Sequence, residues 1–174
     1  MLWKFFGYMV NIVGLSTIGL LSGCGSTSIF QHHILIEHDA KKPAANVYFI
    51  RPFTYRERGV ADNEVIIDLD QKKLLELAKG EYTLLRIKPD NATITTHSIS
   101  MYTNKLTPVK MTKTISVNFE AGKTYFIHIK QYNEEFRGVY YQPELIDLNA
   151  AKQLTEDLHA TGLARSKPID EIKS

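Results

Sequence analysis

One residue of this 174-residue chain has its chemistry set by its neighbours: Cys24, the only cysteine. It closes the run Leu21-Ser22-Gly23-Cys24. Leu21 suits an apolar subsite, and Ser22 and Gly23 leave the backbone open to a peptidase working inside a membrane. The Cys24 thiol can then become a diacylglyceryl thioether. A lone thiol excludes an intramolecular disulfide and a zinc site built on thiolates. Once acylated, it is also lost as a nucleophile.

The residues before it fit that chemistry. Met1 to Lys4 carries one positive charge, and Phe5 to Leu21 is uncharged and mostly apolar before the small residues begin. That is the layout of a secretory signal peptide, and its last four residues form the lipobox pattern of bacterial lipoproteins. The expectation is cleavage after Gly23, so that residues 1–23 leave and Cys24 becomes the mature N-terminus. It would carry diacylglycerol and an N-acyl chain such as palmitate. An uncleaved span would need about 20 apolar residues, and Asn11 with three glycines weakens the stretch for that role. One acyl chain binds a bilayer reversibly, whereas two signals hold it firmly. Gly25, rather than Asp, follows the cysteine, which in enteric-type bacteria points to the outer membrane, facing the periplasm.

Other chemistry-bearing residues have structural roles that compete with functional ones. His32, His33 and His38 with Glu37 have the donors for a metal. They fall in a polar tether, however, without the surrounding shell that fixes metal geometry, so no metal is expected. Asp68 and Asp70 lie two apart on one strand and suit a strand entering a turn more than a catalytic pair. His128 alternates with apolar residues and reads as a sheet residue rather than a base. Gly-x-Ser-x-Gly and phosphate-cradling glycine loops are missing from the sequence, and no catalytic residue or cofactor is expected beyond the lipid. Arg51, Phe53, Tyr55, Arg56 and Arg58 form the candidate binding loop, rich in the residue types that anchor interfaces. Phe136, Tyr140 and Tyr141 make a second aromatic group. The competing reading of both groups is that the aromatics cap a core and the arginines are solvated.

Removing 23 leader residues from 174 leaves 151, with 20 basic and 19 acidic side chains. That length suits one domain burying about 68–70% of its unfolded surface, and the near-neutral balance argues against nucleic acid as a partner. Residues 24–44 read as a lipid-anchored flexible tether, with Ile34-Leu35-Ile36 able to pack as an edge strand or turn. From Ala45 the pattern alternates with period two between turns. Val47 to Ile50, Val65 to Leu69, Leu74 to Leu77, Tyr82 to Ile87, Ala92 to Tyr102, Thr114 to Phe119, Thr124 to Lys130 and Val139 to Tyr141 read as strands. Turns fall at Asp70-Gln71-Lys72, Lys79-Gly80, Pro89-Asp90-Asn91 and Ala121-Gly122-Lys123. Leu148, Ala151, Leu154 and Leu158 then predict one helix, with Asp147 as its N-cap and Gly162 at its end. The expected fold is mainly β: a single antiparallel β-sandwich or open barrel with one C-terminal helix, a domain at 45–160 and a loose polar tail at 161–174.

Several of these segments resemble the bacterial lipoprotein family known as domain of unknown function 2846. They are Val47-Tyr48-Phe49-Ile50-Arg51-Pro52, the hairpin Asp68 to Leu74, the step Leu77 to Tyr82, Ala121-Gly122-Lys123-Thr124-Tyr125-Phe126, and Glu144 to Leu158. Gln71 and Asp90 stand where that family commonly has glycine. The resemblance spans roughly Ala45 to Leu158 and implies a β-rich envelope lipoprotein with no established catalytic residues. The leading functional expectation is therefore a lipid-anchored, non-enzymatic β-domain that meets an envelope protein or the cell wall. The alternatives are a sandwich that binds a small lipid or glycan and, further off, a hydrolase with an unrecognised site.

Overall fold

The computed structural model describes residues 43–54, 64–101, 108–134 and 138–173. Nine strands are found among them: β1 (Ala45–Arg51), β2 (Val65–Leu69), β3 (Lys72–Leu77), β4 (Glu81–Ile87), β5 (Asn91–Met101), β6 (Pro108–Asn118), β7 (Thr124–Glu134), β8 (Gly138–Ile146) and β9 (His159–Gly162). They form two sheets, one of five strands in the order β8-β7-β1-β4-β9 and one of four in the order β3-β2-β5-β6. The β-sandwich anticipated from the alternation is what the chain adopts. Its pairing is not wholly antiparallel, because β1 runs parallel to β7 and β4 parallel to β9.

Between the sheets lies the main core. Val47, Phe49, Leu85, Ile87, Ile127 and Tyr141 of one sheet meet Ile67, Leu74, Leu77, Ile94 and Val117 of the other, all buried. A second core covers the opposite face of the five-stranded sheet, where Tyr48, Ile50, Tyr82, Leu84 and Phe126 pack under Ala151, Ala164 and Ile169. That double burial accounts for β1, whose Val47-Tyr48-Phe49-Ile50 is apolar without alternation. A strand buried on both faces has no wet side to advertise.

Turns follow from local chemistry. Asp70 and Gln71 both take positive φ, 49° and 65°, the backbone that a two-residue hairpin of matching twist requires. The Asp70 carboxylate accepts from the Thr93 N–H at 2.8 Å, docking the turn on β5. At the β6–β7 turn the Tyr125 hydroxyl accepts from the Glu120 N–H at 2.9 Å and donates to the Asn118 carbonyl at 3.0 Å.

The C-terminal reading needs correction in two places. Helix α1 spans Leu148–Thr155, capped by Asp147, whose side chain accepts from the Ala150 N–H at 2.8 Å. It stops at Thr155 instead of running on to Gly162. The Thr155 hydroxyl turns back onto the Ala151 carbonyl at 2.8 Å, and the chain then pairs with the open edge of β4 as β9. Gly162 sits at φ 54°, where a Cβ would come within 2.9 Å of Thr83 Oγ1; its role is close approach, not helix capping. Nor do residues 161–173 form a loose tail. Two single-turn 3₁₀ helices, Leu163–Arg165 and Ile169–Glu171, bury Ala164 and Ile169 completely, and the Tyr48 hydroxyl donates to the Lys167 carbonyl at 2.8 Å. The segment carries too few apolar residues to show a period, yet Ala164 and Ile169 land on the sheet, with Ile172 packed beside them.

Candidate functional site

Of the candidate binding loop, Arg51, Phe53 and the backbone around Pro52 are described, whereas Tyr55, Arg56 and Arg58 lie outside the described residues. So do Leu21, Ser22, Gly23 and Cys24, the His32, His33, Glu37 and His38 cluster, Ile34 to Ile36, and Phe136. Arg51 is not a loop residue. It ends β1 on the same face as Val47 and Phe49 and is fully buried. Its guanidinium donates to the Leu77 carbonyl at 2.7 Å and to the Tyr141 hydroxyl at 3.1 Å, and it lies 4.7 Å from the centroid of the Tyr141 ring. A buried cation with those partners ties β1, β3 and β8 together and is not presented to a ligand. Tyr141 belongs to this arrangement and is core; Tyr140 is buried, stacked on Tyr132 with Lys113 Nζ 4.2 Å from its ring centroid.

Phe53 remains a surface candidate, with 49% of its area exposed. Its ring lies against Gly80, at whose position any Cβ would come within 2.3 Å of the ring carbons. Gly80 has φ 76°, so both its backbone and its missing side chain serve this contact. The ring forms one wall of an open cleft of about 350 Å³, lined also by Pro52, Thr54, His128, Ile129, Lys130, Gln131, Asn133 and Leu154. That size lies at the small end of ligand sites.

Beside the cleft stands a charged group on β7 and β8. His128 faces Glu144 across the ladder. Glu144 accepts from Lys130 Nζ at 3.3 Å and from the Tyr132 hydroxyl. Burial raises the Glu144 carboxyl, but the Tyr132 and Lys130 hydrogen bonds and the nearby positive charges outweigh it and leave its pKa below the usual value. Burial holds the His128 imidazole below its ordinary pKa, outweighing the attraction of Glu144. The cleft therefore meets a ligand with a neutral imidazole, two amides and a lysine whose charge is already matched.

A second array lies on the outer face of the four-stranded sheet. His97 Nε2 lies 2.7 Å from Asp68 Oδ2, and His97 Nδ1 lies 3.2 Å from Thr112 Oγ1. A carboxylate only accepts, so Nε2 donates to Asp68 and leaves Nδ1 to the Thr112 hydroxyl. The order Asp-His-Thr has the connectivity of a nucleophile-activating relay. Its setting differs: the array lies on a sheet face whose β5 and β6 are paired from Asn91–Asn118 to Met101–Pro108. Main-chain donors held within that ladder cannot turn to an oxyanion. The array clamps β2, β5 and β6. Asp68 and Asp70 do not act as a pair, since Asp68 turns to His97 and Asp70 to the backbone of β5.

His97, Thr112, Gln131 and Asn133 carry no functional signal in the sequence, and Leu154 stands out only as a helix position. Period-two alternation places His97 and Thr112 on wet faces but cannot say that they are opposite each other. Among the described residues no group of three or more His, Cys, Asp or Glu is placed to hold a metal, and no helix is long and apolar enough to cross a membrane. In comparison with known proteins, no family model, curated protein or solved structure matches this chain.

Proposed function

We propose that this chain is a lipid-anchored lipoprotein of the bacterial cell envelope, held by Cys24 and presenting a non-enzymatic β-domain to an envelope protein or the cell wall. The observation that carries the reading is the run Leu21-Ser22-Gly23-Cys24 behind an apolar leader, ending 20 residues before the first strand of a sandwich at Ala45. The short tether between them suits a domain held close to a bilayer, and Gly25 favours the outer membrane, facing the periplasm. Its task there is binding through surfaces, with no cofactor other than the acyl groups.

The test is Cys24→Ala expressed in the native host with labelled palmitate. The wild type should incorporate label and sediment with membranes after processing. The variant should take up no label and persist as the longer precursor; equal labelling of the two would end the lipidation reading.

A second reading, a small lipid or glycan ligand, is favoured by the cleft beside Phe53, where an exposed aromatic ring stands among amide side chains. Direct titration with soluble glycans tests it.

A further inference from the structure

The cleft's lining contains four consecutive strand residues, His128, Ile129, Lys130 and Gln131. Side chains alternate across a strand, so a cleft that meets four in a row runs along the strand's edge and not over one face. The reason is a fork in the five-stranded sheet. Pairing of β7 with β8 continues to Glu134, whereas pairing of β7 with β1 stops at His128 opposite Ile50.

The hydrogen-bond register shows what is left open. The Asn46 N–H donates to the Lys123 carbonyl at 2.9 Å. In a parallel ladder this makes the odd-numbered residues of β7 direct their N–H and C=O groups at β1. Two residues at a time, the donors from β1 are Asn46, Tyr48 and Ile50, and the next would be residue 52. That residue is Pro52, which has no N–H. The Ile129 carbonyl is therefore the first group on β7 without a ladder donor, and the N–H and C=O of Gln131 and Asn133 point past the end of β1 as well. Among the described residues none of these groups has a main-chain partner. The Gln131 side chain adds to the deficit, because among the described residues its buried Oε1 has no hydrogen-bond partner. Buried acceptors are nearly always satisfied, so this one needs a donor that the described residues do not supply.

The parity also explains Pro143, opposite Ile129 on β8. Odd-numbered β7 residues do not bond to β8, so Pro143 costs that ladder nothing and leaves the outer edge of β8 short of a donor. Among the described residues the sheet is thus blunted at its outer edge and unpaired at an inner one.

We propose that the β1–β7 fork binds an extended peptide segment of a partner protein. The segment adds to the edge of β7 at Ile129, Gln131 and Asn133 by main-chain hydrogen bonds. One of its apolar side chains lies against Phe53 and Leu154 where they line the cleft. No charge is needed at that position, since Lys130 is matched by Glu144. This rests on the reading of the domain as a protein-contact module and names how the contact is made.

The test uses the full chain in detergent micelles, with a random dodecapeptide phage library as probe and the selected peptides then made synthetically. In the free protein the Gln131 and Asn133 amides should exchange with solvent at least tenfold faster than that of Ile127. Bound peptide should slow both at least tenfold. Gln131→Pro removes a donor that serves neither neighbour, so it should weaken peptide binding at least tenfold while Asp68–His97 and β8 contacts persist in spectra. Phe53→Ala, outside every strand, should weaken binding without touching the ladder and stands in if the proline variant does not fold. The proposal is overturned if both amides are already protected in the free chain, if peptides bind without protecting them, or if only glucan or chitin oligomers bind. Peptide binding that is intact in Cys24→Ala keeps this outcome separate from the fate of the anchor.

Discussion

The outer faces of the two sheets begin from the same arithmetic and end differently. On the four-stranded sheet Thr93, Thr95 and His97 of β5 stand beside Ser116, Thr114 and Thr112 of β6. They stay wet, tied by short polar links such as Thr95 to Thr114 at 3.1 Å. On the five-stranded sheet the corresponding positions of β1, β4 and β7 are Tyr48, Ile50, Tyr82, Leu84 and Phe126, covered by α1 and the C-terminal segment. A threonine row can face water unaided, whereas an aromatic row must recruit a lid. The covering segment is itself sparse, with Ala164 and Ile169 as its buried contacts. The two faces show that a surface is finished either by its own side chains or by a segment from far along the chain.

The difference is broken most directly at Ile169. Ile169→Ala should cost about 2–5 kcal/mol in urea or thermal unfolding, the range for truncating a buried aliphatic residue. A loss below about 0.5 kcal/mol would mean that the C-terminal segment merely rests on the sheet.

Next comes alkaline stability. Burial, with the nearby Tyr82, pushes the Tyr48 phenol up to about 12. The folded state thus favours the neutral phenol, while the unfolded chain ionises near about 10. The Tyr48 contribution is whole below pH of about 10 and is lost as pH rises through about 12. Tyr48→Phe should start about 1 kcal/mol less stable, for want of the bond to the Lys167 carbonyl. It should then lose less than the wild type between those pH values, as followed by circular dichroism; parallel curves would remove Tyr48 as the cause.

The smallest effect belongs to the bare face. Thr95→Ala should change stability by no more than about 0.5 kcal/mol, because the exposed Thr114 hydroxyl exchanges its bond to Thr95 for water. A larger loss would show that the threonine row is under cover in solution.

Most of the sandwich was legible because alternation and turn chemistry are local. Val65-Ile66-Ile67-Asp68-Leu69 and the Asp70-Gln71 turn announce a hairpin without reference to anything distant, and so does the Asp147 cap. The misreadings occurred where a partner far along the chain decides. Arg51 has an interface-friendly side chain, but its fate is set by the Leu77 carbonyl and Tyr141, 26 and 90 residues away. Leu158 continues a helical period, but pairing between β4 and β9 ends the helix first. Of the cleft, Phe53 was visible as a candidate. That residue 52 is where a donor to the Ile129 carbonyl would stand depends on the pairing of two strands whose partners are 78 residues apart.

The sequence by itself determined the strands, their turns, the capped helix and the expectation of an acylated Cys24, since each depends on residues within a few positions of one another. Only the tertiary structure decided which face is covered, that Arg51 is core and that, among the described residues, no strand pairs with β7 beyond His128 on the β1 side. Those outcomes depend on contacts that form only after loops of many residues have closed, and local periodicity carries no information about which ends will meet.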